Sequence, residues 1–219
     1  MTIIATIEIF IRNSLCNNLQ EFFGSADWLF NPPPSFEWKK PEHEKIRIAA
    51  ASAKRAEYAK LNHQEKVQLD AIAFPHGRPA GVAHTAVSKR RQSCITVTTG
   101  KIIAELTFYF WKRLYGPDYQ HSLWKRTLKK TFPNKKIDRS EIADSLETIY
   151  QTRNRLAHHE PVLHGRYSDA INSIKFISEN LGLSTRDDNS TLCKLIAPDI
   201  AELTSRSNAL HARIESFKT

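Results

Sequence analysis

Apolar residues recur at helical spacing from one end of this chain to the other, and strand alternation persists nowhere. That pattern predicts an all-α fold. A length of 219 residues is enough to bury a sizeable core. Positions Ile3, Ile4, Ile7, Phe10, Ile11, Leu15, Leu19 and Phe22 form one stripe of a helix over 3–23, with Gly24 as its stop. The stripe begins almost at Met1, so the chain is expected to begin inside a helix. The stretch 25–40, with Pro32-Pro33-Pro34, reads as a loop, and Pro41 suits the first turn of a helix running to about Asn62. Ile46, Ala49, Ala50 and Ala53 give that helix only a thin apolar seam.

A turn-rich break over 74–81 precedes a short helix ending in Lys89-Arg90-Arg91. Thr98 or Thr99 caps the next predicted helix, which continues to about Tyr115 and is apolar nearly all round, as expected in the middle of a bundle. Gly116-Pro117 ends it. A helix over about 119–131 carries Lys125, Arg126, Lys129 and Lys130. Another helix, opened by Ser168, runs through Ile171, Ile174, Phe176, Ile177 and Leu181 to Gly182. The polar stretch 183–190 leads to a final amphipathic helix over 197–217, using Ile200, Leu203, Leu210 and Ile214. We expect a single domain over 1–219, with a less regular inserted segment over about 24–98 and a helical extension, 182–219, packed on the body.

Between these elements lies the segment that carries chemistry. Asp138 and Glu141 fit a capping box, and Ile142, Leu146, Ile149 and Leu156 follow at helical spacing. Arg153, Asn154 and His158 sit at the end of this helix, and Pro161 forces it to stop near His158 or His159. Asn154 and His158 share a face. The helix C-terminus favours a cation there. An imidazole beside a guanidinium suits a phosphodiester: one holds the oxyanion, the other moves the proton.

The run Arg153 to His158 resembles the R-N-x-x-x-H signature of HEPN domains, and the longer run to Pro161 is similar to the Abi-like abortive-infection proteins of bacteria. Glu8-Ile9-Phe10-Ile11-Arg12-Asn13 resembles that family's first helix. Ala104 to Trp111 resembles its central "AELSFGFW" stretch, with Thr107 for Ser and Tyr109 for Gly. Leu123-Trp124, Leu128 and Phe132-Pro133 match the "LW…L…FP" pattern that follows. The resemblance covers residues 3–23 and about 99–181. It implies an all-α HEPN-like helical bundle, commonly dimeric, and a metal-independent ribonuclease with Arg153, Asn154 and His158 as catalytic residues. Tyr109, where the family has Gly, bears on how closely a neighbouring helix packs.

Charge agrees with such a partner: 32 Lys+Arg against 23 Asp+Glu leave +9, which favours a polyanion and equally suits an ordinary basic protein. Lys89-Arg90-Arg91 and Lys125-Arg126-Lys129-Lys130 are the candidate phosphate contacts, or else solvated faces. Cys16, Cys94 and Cys193 lie far apart and fit neither a metal site nor a disulfide framework, which suits a reducing cytoplasm. Glu8 and Arg12 interrupt the apolar start, so neither a signal peptide nor a membrane span is expected. His159-Glu160-Pro161-Val162-Leu163-His164 is a near miss of the zinc motif H-E-x-x-H, with one residue too many and Pro161 in the way. No metal or other cofactor is expected.

Three further residues are secondary candidates. His159 suits a phosphate or partner contact. Glu105, on the most apolar helix, needs a partner: Lys101, Arg12 or Arg153. Arg12-Asn13 repeats the Arg-Asn pair but has Asn17 where His would stand, so a structural pairing with Glu8 is expected. Arg153 itself has Glu147 and Glu160 as structural alternatives.

The resulting expectation is an RNA endonuclease of a phage-defence or toxin–antitoxin system. The RNA 2′-OH is the nucleophile, a homodimer supplies a composite active site, and an antitoxin is the cognate partner. The competing expectations are a non-catalytic RNA-binding module and a protein-interaction module of a defence pair.

Overall fold

The structure, a computed structural model, describes residues 1–217. Among them there is helix and turn but no strand, so the chain is all-α. No helix among the described residues is long and apolar enough to cross a membrane. The chain divides into two compact units: Met1–Phe22 together with the chain from Trp111 onward, and Phe23–Phe110.

In the first unit, α1 spans Thr2–Phe23. Its predicted stripe is buried at Ile3, Ile4, Ile7, Ile11, Leu15 and Leu19, but Phe22 is exposed and Phe23 is the buried member of that pair. Gly24 ends the helix in the left-handed conformation that glycine adopts without strain. The helix expected over 119–131 is absent. Short non-α helical turns stand in its place: 3₁₀ turns over Pro117–Tyr119 and Leu128–Thr131, and a wider π turn over Gln120–Trp124 between them. This irregular path buries Tyr119, Leu123, Trp124, Leu128 and Phe132 together, which one face of a straight helix could not do. Tyr115 is at its centre, edge-on to Phe132 at 5.7 Å, with its hydroxyl 2.8 Å from Thr131 Oγ1.

Helix α8, Arg139–Ala157, lays Ile142, Leu146 and Ile149 into this core and packs on α9, Gly165–Asn180. Helix α9 starts three residues before the predicted Ser168. The last helix is longer than expected, running Thr191–Ser216 from a Ser190 cap, with Pro198 inside it. Leu192 and Ile196 in its first turns are buried, whereas Leu203, Leu210 and Ile214 are exposed. The extension is therefore packed at its start and open along the predicted apolar stripe.

In the second unit, α2 spans Lys40–Lys60 with Pro41 in its first turn, and buries Ile46, Ala49 and Ala53. Two short helices not anticipated from sequence follow: α3, His63–Gln68, with an Asn62–Glu65 capping box, and α4, Asp70–Ala73. Helix α5 spans His84–Ser93. The single helix expected from Thr98 to Tyr115 is broken into α6, Thr99–Glu105, and α7, Phe108–Arg113, with Leu106 extended between them. The break lets Ile102, Leu106, Phe108 and Phe110 all be buried, although they lie on different sides of a continuous helix. The predicted loop before α2 has a core of its own. Trp28 and Trp38 are buried 6.0 Å apart, Phe36 meets Trp38 edge-on at 4.9 Å, and Trp38 Nε1 donates to the Leu29 carbonyl at 3.0 Å. The helix spanning Thr191–Ser216 is α10.

Candidate functional site

The candidate site stands at the C-terminal end of α8, and the start of the helix fixes its register. At its start, the Asp138–Glu141 capping box forms, and the Asp138 N–H donates to Glu141 Oε2 at 2.7 Å. This satisfies helix-start donors that otherwise lack partners and sets the register of everything downstream. At its end, the His159 N–H donates to the Leu156 carbonyl at 3.3 Å and the Glu160 N–H to the Arg155 carbonyl at 2.8 Å. Together these two bonds are the Schellman closure. It requires a left-handed residue just past the helix, and His159 takes that role with φ 57°. Pro161 then prevents continuation. His159 therefore does not stand 100° round a continuing helix from His158. It is the residue on which the chain turns away.

This closure leaves His158 as the last residue before the turn, exposed to solvent, with its own N–H bonded to the Asn154 carbonyl at 3.0 Å. Arg153 and Asn154 are half-buried one turn earlier. The carboxylates that could have claimed Arg153 are both engaged elsewhere. Glu160 pairs with Arg155 at 2.9 Å. Glu147 is held by Lys112, which also lies 4.6 Å from the centre of the Tyr150 ring, and by Gln151 Nε2 at 2.6 Å. The Lys112 and Gln151 bonds hold the Glu147 carboxyl below its ordinary range, against the opposing effect of burial. The side chains of Arg153, Asn154 and His158 have no hydrogen-bond or ion-pair partner among the described residues. A guanidinium and an amide, both half-buried, and an exposed imidazole stand on the last turns of one helix, and groups of these types grip and protonate anionic oxygens.

The secondary candidates take structural places. Arg12 pairs with Glu8 at 2.9 Å and lies 6.0 Å over the Trp111 ring. Glu105 is exposed at the end of α6, so the expectation of a costly buried charge does not hold. Lys101 pairs instead with Glu57 at 2.8 Å. His164 has φ 53° before α9, and its ring stacks on His211 of α10 with centroids 6.1 Å apart. Forty-seven positions separate those two histidines, and no local signal joins them. Among the described residues, no three His, Cys, Asp or Glu side chains are gathered as a metal ion would need.

The two basic clusters divide. Arg91 is buried and holds Asp70 in a two-pronged bond, Nε and Nη2 at 2.7 and 2.6 Å from the carboxylate. Arg90 donates to the Ala73 carbonyl at 2.8 Å and covers Phe74. Both guanidiniums tie α5 to α4, Arg91 from a buried position and Arg90 from an exposed one. Lys89 remains exposed. In the second cluster Lys125, Arg126 and Lys129 are exposed, and Lys130 forms a surface pair with Glu21 at 2.9 Å. No protein-family model, curated protein or solved structure matches this chain.

Proposed function

We propose that this chain is a metal-independent RNA endonuclease with a HEPN-like bundle, acting in a bacterial phage-defence or toxin–antitoxin system. The observation that carries the reading is the free set Arg153, Asn154 and His158 on the closed end of α8, with Arg155, Glu147 and Glu160 satisfied by other groups. The resemblance of Arg153–Pro161 to the family signature supports the same assignment.

In this mechanism the 2′-oxygen of RNA forms a bond to the adjacent phosphorus as the bond from phosphorus to the 5′-oxygen breaks. His158 accepts the 2′-hydroxyl proton, a role worth about 10²–10⁴-fold in rate. Arg153 holds the non-bridging oxygens, and Asn154 orients the phosphate or the imidazole. The departing 5′-oxygen takes a proton from a second imidazolium, supplied by His158 of another copy in a two-fold dimer. The products are a 2′,3′-cyclic phosphate and a 5′-hydroxyl. DNA, lacking the 2′-nucleophile, is spared.

Incubation of the purified protein with total RNA in EDTA, followed by end-group analysis, tests the proposal. Cleavage with those ends, lost in His158→Ala, is the expected result. A requirement for a divalent ion, or cleavage that survives the substitution, overturns it. Loss of toxicity in cells without cleavage in the tube would favour the protein-interaction reading.

A further inference from the structure

A second feature of the molecule lies wholly within the Phe23–Phe110 unit. Between α2 and α5 runs a cleft of about 920 Å³, and four of its lining residues, Arg47, Lys54, Arg55 and Lys89, are cationic. No Asp or Glu lines it among the described residues. Its volume is at the upper end of the range of ligand clefts, about 300–1,000 Å³.

Two of the cations are partly committed. Arg47 pairs with Glu44 at 2.7 Å on the surface, and Lys54 donates to the Ser93 carbonyl at 3.0 Å. Arg55 and Lys89 are exposed and have no partner among the described residues. The start of α5 opens into the same cleft through His84 and Thr85, and Ala83 before them offers no side-chain cap. The first N–H groups of that helix therefore stay available to an anion. Gln92, two turns further along α5, adds a neutral donor, whereas the Ser88 hydroxyl is engaged by Tyr58.

Arg47 and Arg55 are eight residues apart on α2, about 12 Å along its axis at 1.5 Å per residue. A single compact anion cannot reach both, whereas a chain of regularly spaced anions can. Guanidinium and ammonium groups, hydroxyl and amide donors, and helix N-terminal N–H groups are the donor types that proteins place on nucleic-acid phosphates. We infer that the α2–α5 cleft binds the phosphodiester backbone of a single-stranded nucleic acid, with Arg55 and Lys89 as its principal contacts. The choice of RNA as the physiological strand rests on the function proposed above; the cleft itself does not depend on Arg153 or His158.

The test uses full-length protein carrying His158→Ala, so that no probe is cut. Binding of fluorescein-labelled 12-mers of uridine and of thymidine is followed by anisotropy across a salt series. Replacing Arg55 and Lys89 together by Gln should weaken both probes roughly 10–30-fold near 0.1 M salt. It should also lower the magnitude of the log–log salt slope by about 1.4, at 0.7 per single-strand contact. Lys135→Gln with Lys136→Gln removes the same net charge from exposed positions outside the cleft and should leave the slope nearly unchanged. Circular dichroism of each variant should match the parent, because Arg55 and Lys89 are exposed and have no hydrogen bond or ion pair to lose among the described residues.

An unchanged slope in the Arg55/Lys89 variant, an equal loss in the Lys135/Lys136 control, absence of binding by the parent, or displacement of the oligonucleotide by polyglutamate at equal charge would each overturn the inference. If wild-type protein fails to cleave RNA while thymidine 12-mer binding still needs Arg55 and Lys89, the catalytic reading fails and the cleft stands. If cleavage is intact and the slope is unmoved, the reverse holds.

Discussion

Arg155 holds Glu160 across the turn that closes α8, with Nη1 2.9 Å from Oε2. That pairing settles which of two neighbouring guanidiniums is structural. Arg155 is bound to a carboxylate of its own chain, and Arg153, two residues earlier, is not.

The distinction predicts opposite outcomes for two alanine substitutions. Arg155→Ala should cost at most about 1 kcal/mol of stability, as expected for an exposed ion pair, and leave RNA cleavage within a few-fold of wild type. Arg153→Ala should leave the melting temperature nearly unchanged but lower kcat/KM by about 10²-fold or more, and weaken RNA binding as well. Arg153→Lys should recover little, since an ammonium lacks the planar fork. Equal kinetic losses in the two alanine variants would show that Arg153 has no special part.

His159 is a non-glycine residue held at φ 57° by the Schellman closure. Left-handed backbone costs an L-residue roughly 1–2 kcal/mol. His159→Gly should therefore stabilise the fold by about 1 kcal/mol and raise the melting temperature by about 2–4 °C. A lower melting temperature in calorimetry would mean that the imidazole makes a contact worth more than the strain. If cleavage falls while stability rises, His159 also touches substrate.

Cys16 lies on α1, half-buried, and burial pushes its thiol up to about 11 despite the neighbouring Arg12. At pH 8 about one molecule in a thousand then carries the thiolate, the species that alkylates. In native protein treated with iodoacetamide, peptide mapping should show Cys16 labelled far more slowly than a free thiol, and labelled readily once urea is added. Prompt labelling without denaturant would contradict the burial.

The hydrogen bonds from Arg91 hold the Asp70 carboxyl below the ordinary aspartate range. A carboxyl depressed in the folded state contributes stability above its unfolded pKa of about 3.9, and that contribution is lost as pH falls through the lower folded value. Melting temperature should therefore drop as pH is lowered from 5 towards 2.5. Asp70→Asn should already melt lower at pH 7, because it leaves the buried Arg91 without its counter-charge, and should show a shallower acid dependence. Parallel acid profiles for the two proteins would exclude Asp70 as a source of the pH response.

Some elements were legible residue by residue because their signals are local. The Asp138–Glu141 box, the Pro161 stop, and the glycine stops at Gly24 and Gly182 each act within a turn of chain, where backbone sterics and short hydrogen bonds leave few alternatives. The same is true of the α1 and α8 stripes, whose period matches 3.6 residues. The continuous helix expected over 98–115 failed for a different reason. A run apolar on every side satisfies the helical pattern, yet it cannot turn every side towards one core, and the chain breaks at Leu106. The segment 119–131 failed because its buried apolar residues, Tyr119, Leu123, Trp124 and Leu128, do not fall on one face of an α-helix.

By itself, the sequence determined the helical class, the limits of α8 and the residues that stand at its end, since periodicity and capping are properties of the chain over a few turns. Only the tertiary structure decided what each charge does. Arg91 is paired with Asp70 twenty-one positions away, Glu147 is claimed by Lys112 from thirty-five positions away, and Arg55 and Lys89 line one cleft between α2 and α5. A charged side chain is engaged or free according to which elements pack beside it. That packing is set by the mutual burial of apolar faces far apart in the chain, which no local spacing encodes.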